Sequence, residues 1–216
     1  MTVLLDNLGP LASSVTASTS STYATGFTVG IGPNRFMHAF LVLFAAGTSP
    51  TATWDSGGSN QAMTLQTSVV VGTATVYLFT LVNPVSGHKT LQYTWTGTNS
   101  NRGHYACSWN NVNQITPVYD VATATGTSAA PAITLTNVKT NDVGVACMQN
   151  SATAMNSVDH TTLVLNSAFA IGSNYGAGAG ANLTLGATSA SGAWAAISMA
   201  ISGAAQLLPD TPLVGL

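Results

Sequence analysis

Hydrophobic and polar positions along this chain alternate in short runs, and nearly every run has the two-residue period of a β-strand. In Leu91-Gln92-Tyr93-Thr94-Trp95-Thr96 the large residues take every second place, which puts Leu91, Tyr93 and Trp95 on one face and the polar three on the other. Residues 36–45 differ. Phe36, Phe40, Val42 and Phe44 share one face, and Met37, Leu41 and Leu43 the other, so this strand is expected to be central and covered on both sides. A last strand is expected at 194–202, with Trp194, Ala196, Ser198 and Ala200 opposed to Ile197, Met199 and Ile201. Further strands are predicted at 27–31, 69–71, 76–81, 105–109, 118–122, 132–135, 143–148, 161–165, 168–171 and 183–185. Gly72-Thr73 reads as a tight hairpin turn, and Gly32-Pro33-Asn34, Asp55-Ser56-Gly57-Gly58 and Asn141-Asp142 as loops that use Asn, Asp and Gly to reverse the chain.

Runs spaced by roughly 8–15 residues with turn residues between them predict an all-β fold, an antiparallel β-sandwich that is jelly-roll-like, with extended N- and C-terminal arms. The polar Ser/Thr tract around Ser13 to Thr22 marks residues 1–26 as the N-terminal arm, 27–202 as the sandwich domain and 203–216 as the C-terminal tail. Both arms carry Leu residues (Leu4, Leu5, Leu8 and Leu11; Leu207, Leu208 and Leu213), too many for a solvated segment, and they are expected to dock onto a neighbour. No internal repeat is visible, and the Gly-Ala run 176–181 reads as a loop.

Composition sharpens this. Charged residues are 5% of the chain, against roughly 25% in an ordinary soluble domain. Glu is absent, and Arg35, Lys89, Arg102 and Lys139 are the four cations apart from His. The 31 Thr and 21 Ser take their place, which favours strands over helices. With a formal net charge of -2 there is little repulsion to keep copies apart, so the exterior is expected to meet other subunits or to stand in an extracellular setting. Nucleic acid and an anionic membrane surface are excluded as partners, since both need clustered Lys or Arg. The start, Met1 to Asp6, has no cationic region and no long apolar stretch, so a secretion signal is not expected.

No residue pattern carries catalysis. The six carboxylates, Asp6, Asp55, Asp120, Asp142, Asp159 and Asp210, fall in six separate segments, while glycoside hydrolysis needs two within about 5–10 Å. His38, His88, His104 and His160 are isolated; Asp159-His160 is adjacent, but neighbours on a strand point to opposite faces. There is no Gly-x-Ser-x-Gly elbow, phosphate loop or calcium loop. Catalytic, cofactor-binding and metal residues are therefore all none, no cofactor is implied, and the chain is expected not to be an enzyme. Cys107 and Cys147 lie on the apolar side of their strands, as buried thiols or as one cross-sheet disulfide. Three of the four Trp fall on inward positions and are expected to fill the core; a sugar-stacking platform is the competing reading, and Trp54, beside its turn, is the one whose exposure would test it.

Several segments resemble a β-sandwich module of tailed-phage virion proteins and some bacterial surface proteins: Gly32-Pro33-Asn34-Arg35-Phe36, Trp54-Asp55-Ser56-Gly57-Gly58 with Ala62-Met63-Thr64, 81–87, and Cys107-Ser108-Trp109-Asn110-Asn111-Val112-Asn113 with Pro117. The resemblance implies a concanavalin-like or jelly-roll sandwich serving as a capsid decoration, head-fibre or tail-associated subunit. Its expected partners are other virion proteins, the major capsid protein first, and copies of itself in a symmetric homo-oligomer such as a trimer. It would assemble in the host cytoplasm and stand on the exterior of the virion. The competing expectation is a carbohydrate-binding adhesin or tail-fibre module with a host-surface glycan as ligand.

Overall fold

The computed structural model describes residues 1–205 except 15, 23–25, 45–46, 100, 152–153 and 167–168. The all-β expectation is met: among the described residues there are strands and turns, and every strand pairing is antiparallel. In the N-terminal half, β5 (Phe36–Phe44) is the middle of an inner sheet ordered β1 (Leu4–Leu8), β12 (Asn101–Asn110), β5, β9 (Ala74–Val82), β8 (Thr64–Val71). β2 (Ala12–Ser14) follows β1 along the same side of β12. An outer sheet runs β3 (Ser18–Thr22), β11 (Leu91–Asn99), β6 (Thr48–Trp54), β7 (Gln61–Ala62), and β4 (Phe27–Val29) pairs separately with β10 (Gly87–Lys89).

The C-terminal half repeats the plan. Its inner sheet is β13 (Val118–Ser128), β20 (Gly192–Ile201), β15 (Val143–Asn150), β18 (Ile171–Ala177), β17 (Thr161–Asn166), and its outer sheet is β14 (Ala132–Val138), β19 (Ala181–Ser189), β16 (Met155–Val158). Matching β13 to β1/β2, β14 to β3, β15 to β5, β16 to β6, β17 to β8, β18 to β9, β19 to β11 and β20 to β12 reproduces both sheet orders; β7 and the β4–β10 pair are additions. The repeat is one of topology. N-terminal positions carry Phe36, Phe40, Tyr105 and Trp109 where C-terminal ones carry Val, Cys, Met and Ile.

Alternation along the central strands decides how the sheets stack. Phe36, Phe40 and Val42 of β5 face Val143, Val145, Cys147, Ile197, Met199 and Ile201 across a shared core, so the two inner sheets lie face to face. Met37, Ala39, Leu41 and Leu43 point the other way onto Ala52, Trp54, Leu91, Tyr93 and Trp95 of the outer sheet. Ala146, Met148, Ala196 and Ala200 likewise turn to Ile133, Leu135 and Leu185. The strands expected to form one sandwich over 27–202 are therefore a stack of four sheets with three cores. β5 is buried on both faces, as read, and so is β20 from Trp194 onward. Within the shared core β8 lies against β13 and β20, so the strand orders of the inner sheets run in opposite directions. β5 and β15 both start at the end where Val112 bridges Gly203. Together these relations describe an approximate two-fold axis parallel to the strands.

The N-terminal arm is not free. Leu4–Leu8, Ala12–Ser14 and Ser18–Thr22 pair with β12 and β11 of their own chain, and the Val3 side chain joins the shared core. Residues 203–205 of the tail are sewn to the body, with Gly203 N–H donating to Asp142 Oδ1 at 2.7 Å and Ala204 N–H to Asn111 O at 2.7 Å. The rest of the tail, with Leu207, Leu208, Asp210 and Leu213, lies outside the described residues. β18 extends to Ala177, so the Gly-Ala run begins inside a strand instead of forming one loop.

Candidate interaction surface

Each described carboxylate is held by groups of its own neighbourhood. Asp6 Oδ2 accepts from Gly30 N–H at 2.7 Å and Ser108 O–H at 2.6 Å, which ties β1 to β12. Asp55 sits in its turn at φ 54° and accepts from Ser59 N–H at 2.7 Å; that backbone donor, with Lys89 at 3.6 Å, holds its carboxyl below the usual range despite some desolvation. Asp120 accepts from Thr136 N–H and O–H, Asp142 from Gly203 N–H, and Asp159 from Gly186 N–H. Asp55 and Asp120 belong to opposite halves, and no partner is shared between them. Among the described residues no three His, Cys or Asp side chains are grouped to hold a metal ion.

The expected separation of Asp159 and His160 is corrected. They occupy a turn between β16 and β17 instead of a strand, and His160, at φ 53°, swings its Nδ1 to 3.2 Å from Asp159 Oδ1. Among the described residues no serine or threonine hydroxyl is seen to bond the ring, and Asp159 also accepts from Asn174, so the pair works as a turn clamp. His38 is fully buried between the inner sheets; it stacks on Trp109 at 5.8 Å, and its Nδ1 accepts from Trp109 Nε1–H at 2.9 Å. Burial with no neighbouring carboxylate pushes it down to about 3. His104, on the other face, bonds Ser21 at 2.9 Å and is also pushed down to about 3, first by desolvation and then by the Arg102 charge. Cys107 and Cys147 are free, buried thiols whose pKa burial raises.

Trp54 is not available to a ligand. Its exposure is 0%, because the pairing of β6 with β11 sets it opposite Leu91 on the inward face, and its Nε1–H donates to Val85 O at 2.9 Å. Trp95, Trp109 and Trp194 are buried too, so no Trp stacking row exists on the described surface.

The exterior carries something else. On one side of the stack two open sheet edges, β8 and β13, lie together. β8 has no charged residue, and Val70 is 60% exposed with Leu65 also exposed. β13, the longest strand at 11 residues, has one charge, Asp120, which Thr136 already holds, and exposes Tyr119 and Val121. Ordinary proteins guard such edges with Lys, Pro or inward charges. Here three of the cations are engaged elsewhere, Arg35 on Pro84 O, Lys89 on Asp55 and Arg102 over Trp95, and Lys139 alone reaches this side, 5.1 Å over the Tyr119 ring near the start of β13. Beside β8 the exposed Ile115 and Val82, with the half-buried Leu81 and Val118, line a groove of about 450 Å³. Sequence reasoning missed this surface because edges are set by pairing across the fold, and the one available signal was the absence of Lys and Glu from 64–71 and 118–128.

No protein-family model, curated protein or solved structure matches this chain.

Proposed function

We propose that the chain is a non-enzymatic structural subunit that joins copies of itself and other proteins along the β8–β13 side. In its finer form it is a decoration or head-surface subunit on the exterior of a virus particle. One observation carries the reading: two long edge strands with a single charge between them, Asp120, lie together and expose Val70, Leu65, Tyr119 and Val121. An unpaired edge presents a row of N–H and C=O groups, and pairing it with another chain satisfies them while removing apolar side chains from water. The engagement of each described carboxylate in a local tie supports a role in which no side chain has to be free for chemistry.

Charge placed on these edges should separate the subunits without unfolding them. In a Val70→Lys/Val121→Lys variant both substituted positions are exposed, so the melting temperature is expected to stay within a few degrees of the parent. Light scattering is expected to show association of the parent and a monomer for the variant, with a matching loss of particle occupancy in a virion assay. A variant that associates as strongly as the parent would count against the reading.

A further inference from the structure

Strand direction limits how a second copy can meet the β8–β13 side. β8 begins at Thr64 opposite Thr80, at the end of the stack where β9 finishes and β5 begins. β13 begins at Val118 opposite Ile201, where β20 finishes and β15 begins. Because β5 and β15 start at one end of the stack, β8 and β13 run the same way, and by the same registers so do β1 and β17 on the opposite side. A copy moved sideways without rotation therefore presents edges parallel to β8 and β13, and so does a copy turned about an axis parallel to the strands. Two placements give antiparallel edges. A half-turn about an axis perpendicular to the sheets keeps the layers in place and reverses the strands, so β8 meets β8 and β13 meets β13. A half-turn about the sideways direction sets β8 against β17 and β13 against β1 of the next copy, and repeats without closing.

The edges themselves choose between these two. After a bulge near its start, each strand on the β8–β13 side offers an unbroken run, 67–71 in β8 and 120–128 in β13. The opposite side is broken. A bulge at Asp6 interrupts β1, Gly9-Pro10 separates it from β2, and a bulge at Leu163 interrupts β17, so no unbroken run there exceeds three residues. Bulges and a proline without an N–H are the devices that keep an edge from adding strands, and the β8–β13 side lacks them along its runs. We propose that the partner on the β8–β13 side is a second copy of this chain, related by a two-fold axis perpendicular to the sheets, so that both inner sheets continue antiparallel across the contact. Antiparallel pairing is slightly the more stable per residue and is the one used throughout this fold. Each added rung satisfies outward N–H and C=O groups of both copies. The same patch serves on both sides, so assembly closes at two copies, where a trimer would join two different patches. The inference rests on the assembly reading and adds to it the partner, the polarity and the copy number.

The test combines light scattering of the full-length chain with spin-label distances from three single variants, Thr123→Cys, Thr125→Cys and Thr127→Cys. These side chains are exposed along one face of β13, so the substitutions leave the cores intact, and Cys107 and Cys147 are too deeply buried to take the label. The mass is expected to rise with concentration to two copies and stop there. Label-to-label distances are expected to differ among the three positions, growing by roughly 14 Å for every two residues away from the axis, because each copy displaces its label by about 3.4 Å per residue in opposite directions. Equal distances at all three positions would reveal a parallel contact and overturn the two-fold while leaving the assembly reading intact. A mass that climbs past two copies would do the same. A chain that stays monomeric up to near-millimolar concentration would overturn both.

Discussion

Acidification from pH 6 to pH 4.5 is expected to destabilise this protein steeply. His38 and His104 are both buried and both held near pKa 3, against 6.5 for the free side chain. The unfolded chain therefore takes up two protons that the folded chain refuses. For a group whose folded pKa is lowered in this way and whose charged form carries the proton, stability is complete above 6.5 and falls as pH drops toward 3. Each histidine contributes a slope of about 1.4 kcal/mol per pH unit inside that window, so the pair gives about 2.7. A typical domain has about 5–15 kcal/mol in all. Nothing near His38 relieves the charge: its ring meets Phe40, Tyr105 and Trp109, and its cross-strand partners are Thr80 and Cys107. Asp55, with its depressed carboxyl, loses its contribution only as pH falls below about 3.8, so it does not blur the window. Urea unfolding at pH 6.0, 5.3 and 4.5 should show the slope in the parent, about half of it in His38→Gln, and almost none in His38→Gln/His104→Gln. A parent with a flat profile over that range would show that these rings are not buried in the neutral form.

Trp109→Ala is expected to cost about 3–5 kcal/mol, among the largest single-site losses available to the fold. The indole is fully buried in the core shared by the two inner sheets, stacks on His38, meets Tyr175 edge-on at 5.4 Å, and donates to the His38 ring. Its removal opens a void between the two halves and leaves His38 Nδ1 without its donor, so both halves should unfold together at a lower denaturant midpoint. Trp109→Phe retains most of the ring volume and should recover a good part of the loss, with the broken hydrogen bond accounting for about 1–3 kcal/mol of what remains. A loss under 1 kcal/mol for the alanine variant, or two separated transitions, would mean that the shared core does not couple the halves.

Much of the fold was legible. The alternation at Leu91, Tyr93 and Trp95 gave the inward face correctly, and Gly72, at φ 58°, does make the tight turn between β8 and β9. The four-sheet stack was half visible. Residues 36–45 and 194–202 are apolar on both faces, and a single sandwich has no place for a strand covered on both sides, so the pattern already required more than two layers. The repeat was hidden because equivalent positions hold different volumes, Phe and Trp in one half and Val, Met and Ile in the other; topology constrains apolarity and period, not identity. β3 was read as an arm because Ser-Thr-Ser-Ser-Thr has no apolar face, and its pairing is set by β11, about 70 residues away. The face of Trp54 stayed open in the sequence because of its nearness to a turn, and its register opposite Leu91 decides it. The interaction surface depends on which strands end a sheet, and local sequence does not encode that.

Amide hydrogen exchange measured across protein concentration tests most directly whether the exterior is met by other protein. The account predicts that amides of β8 and β13 gain protection as concentration rises from micromolar to near-millimolar, while those of the central strands β5 and β15 stay protected throughout. Edge amides that exchange at the same fast rate at every concentration would contradict it.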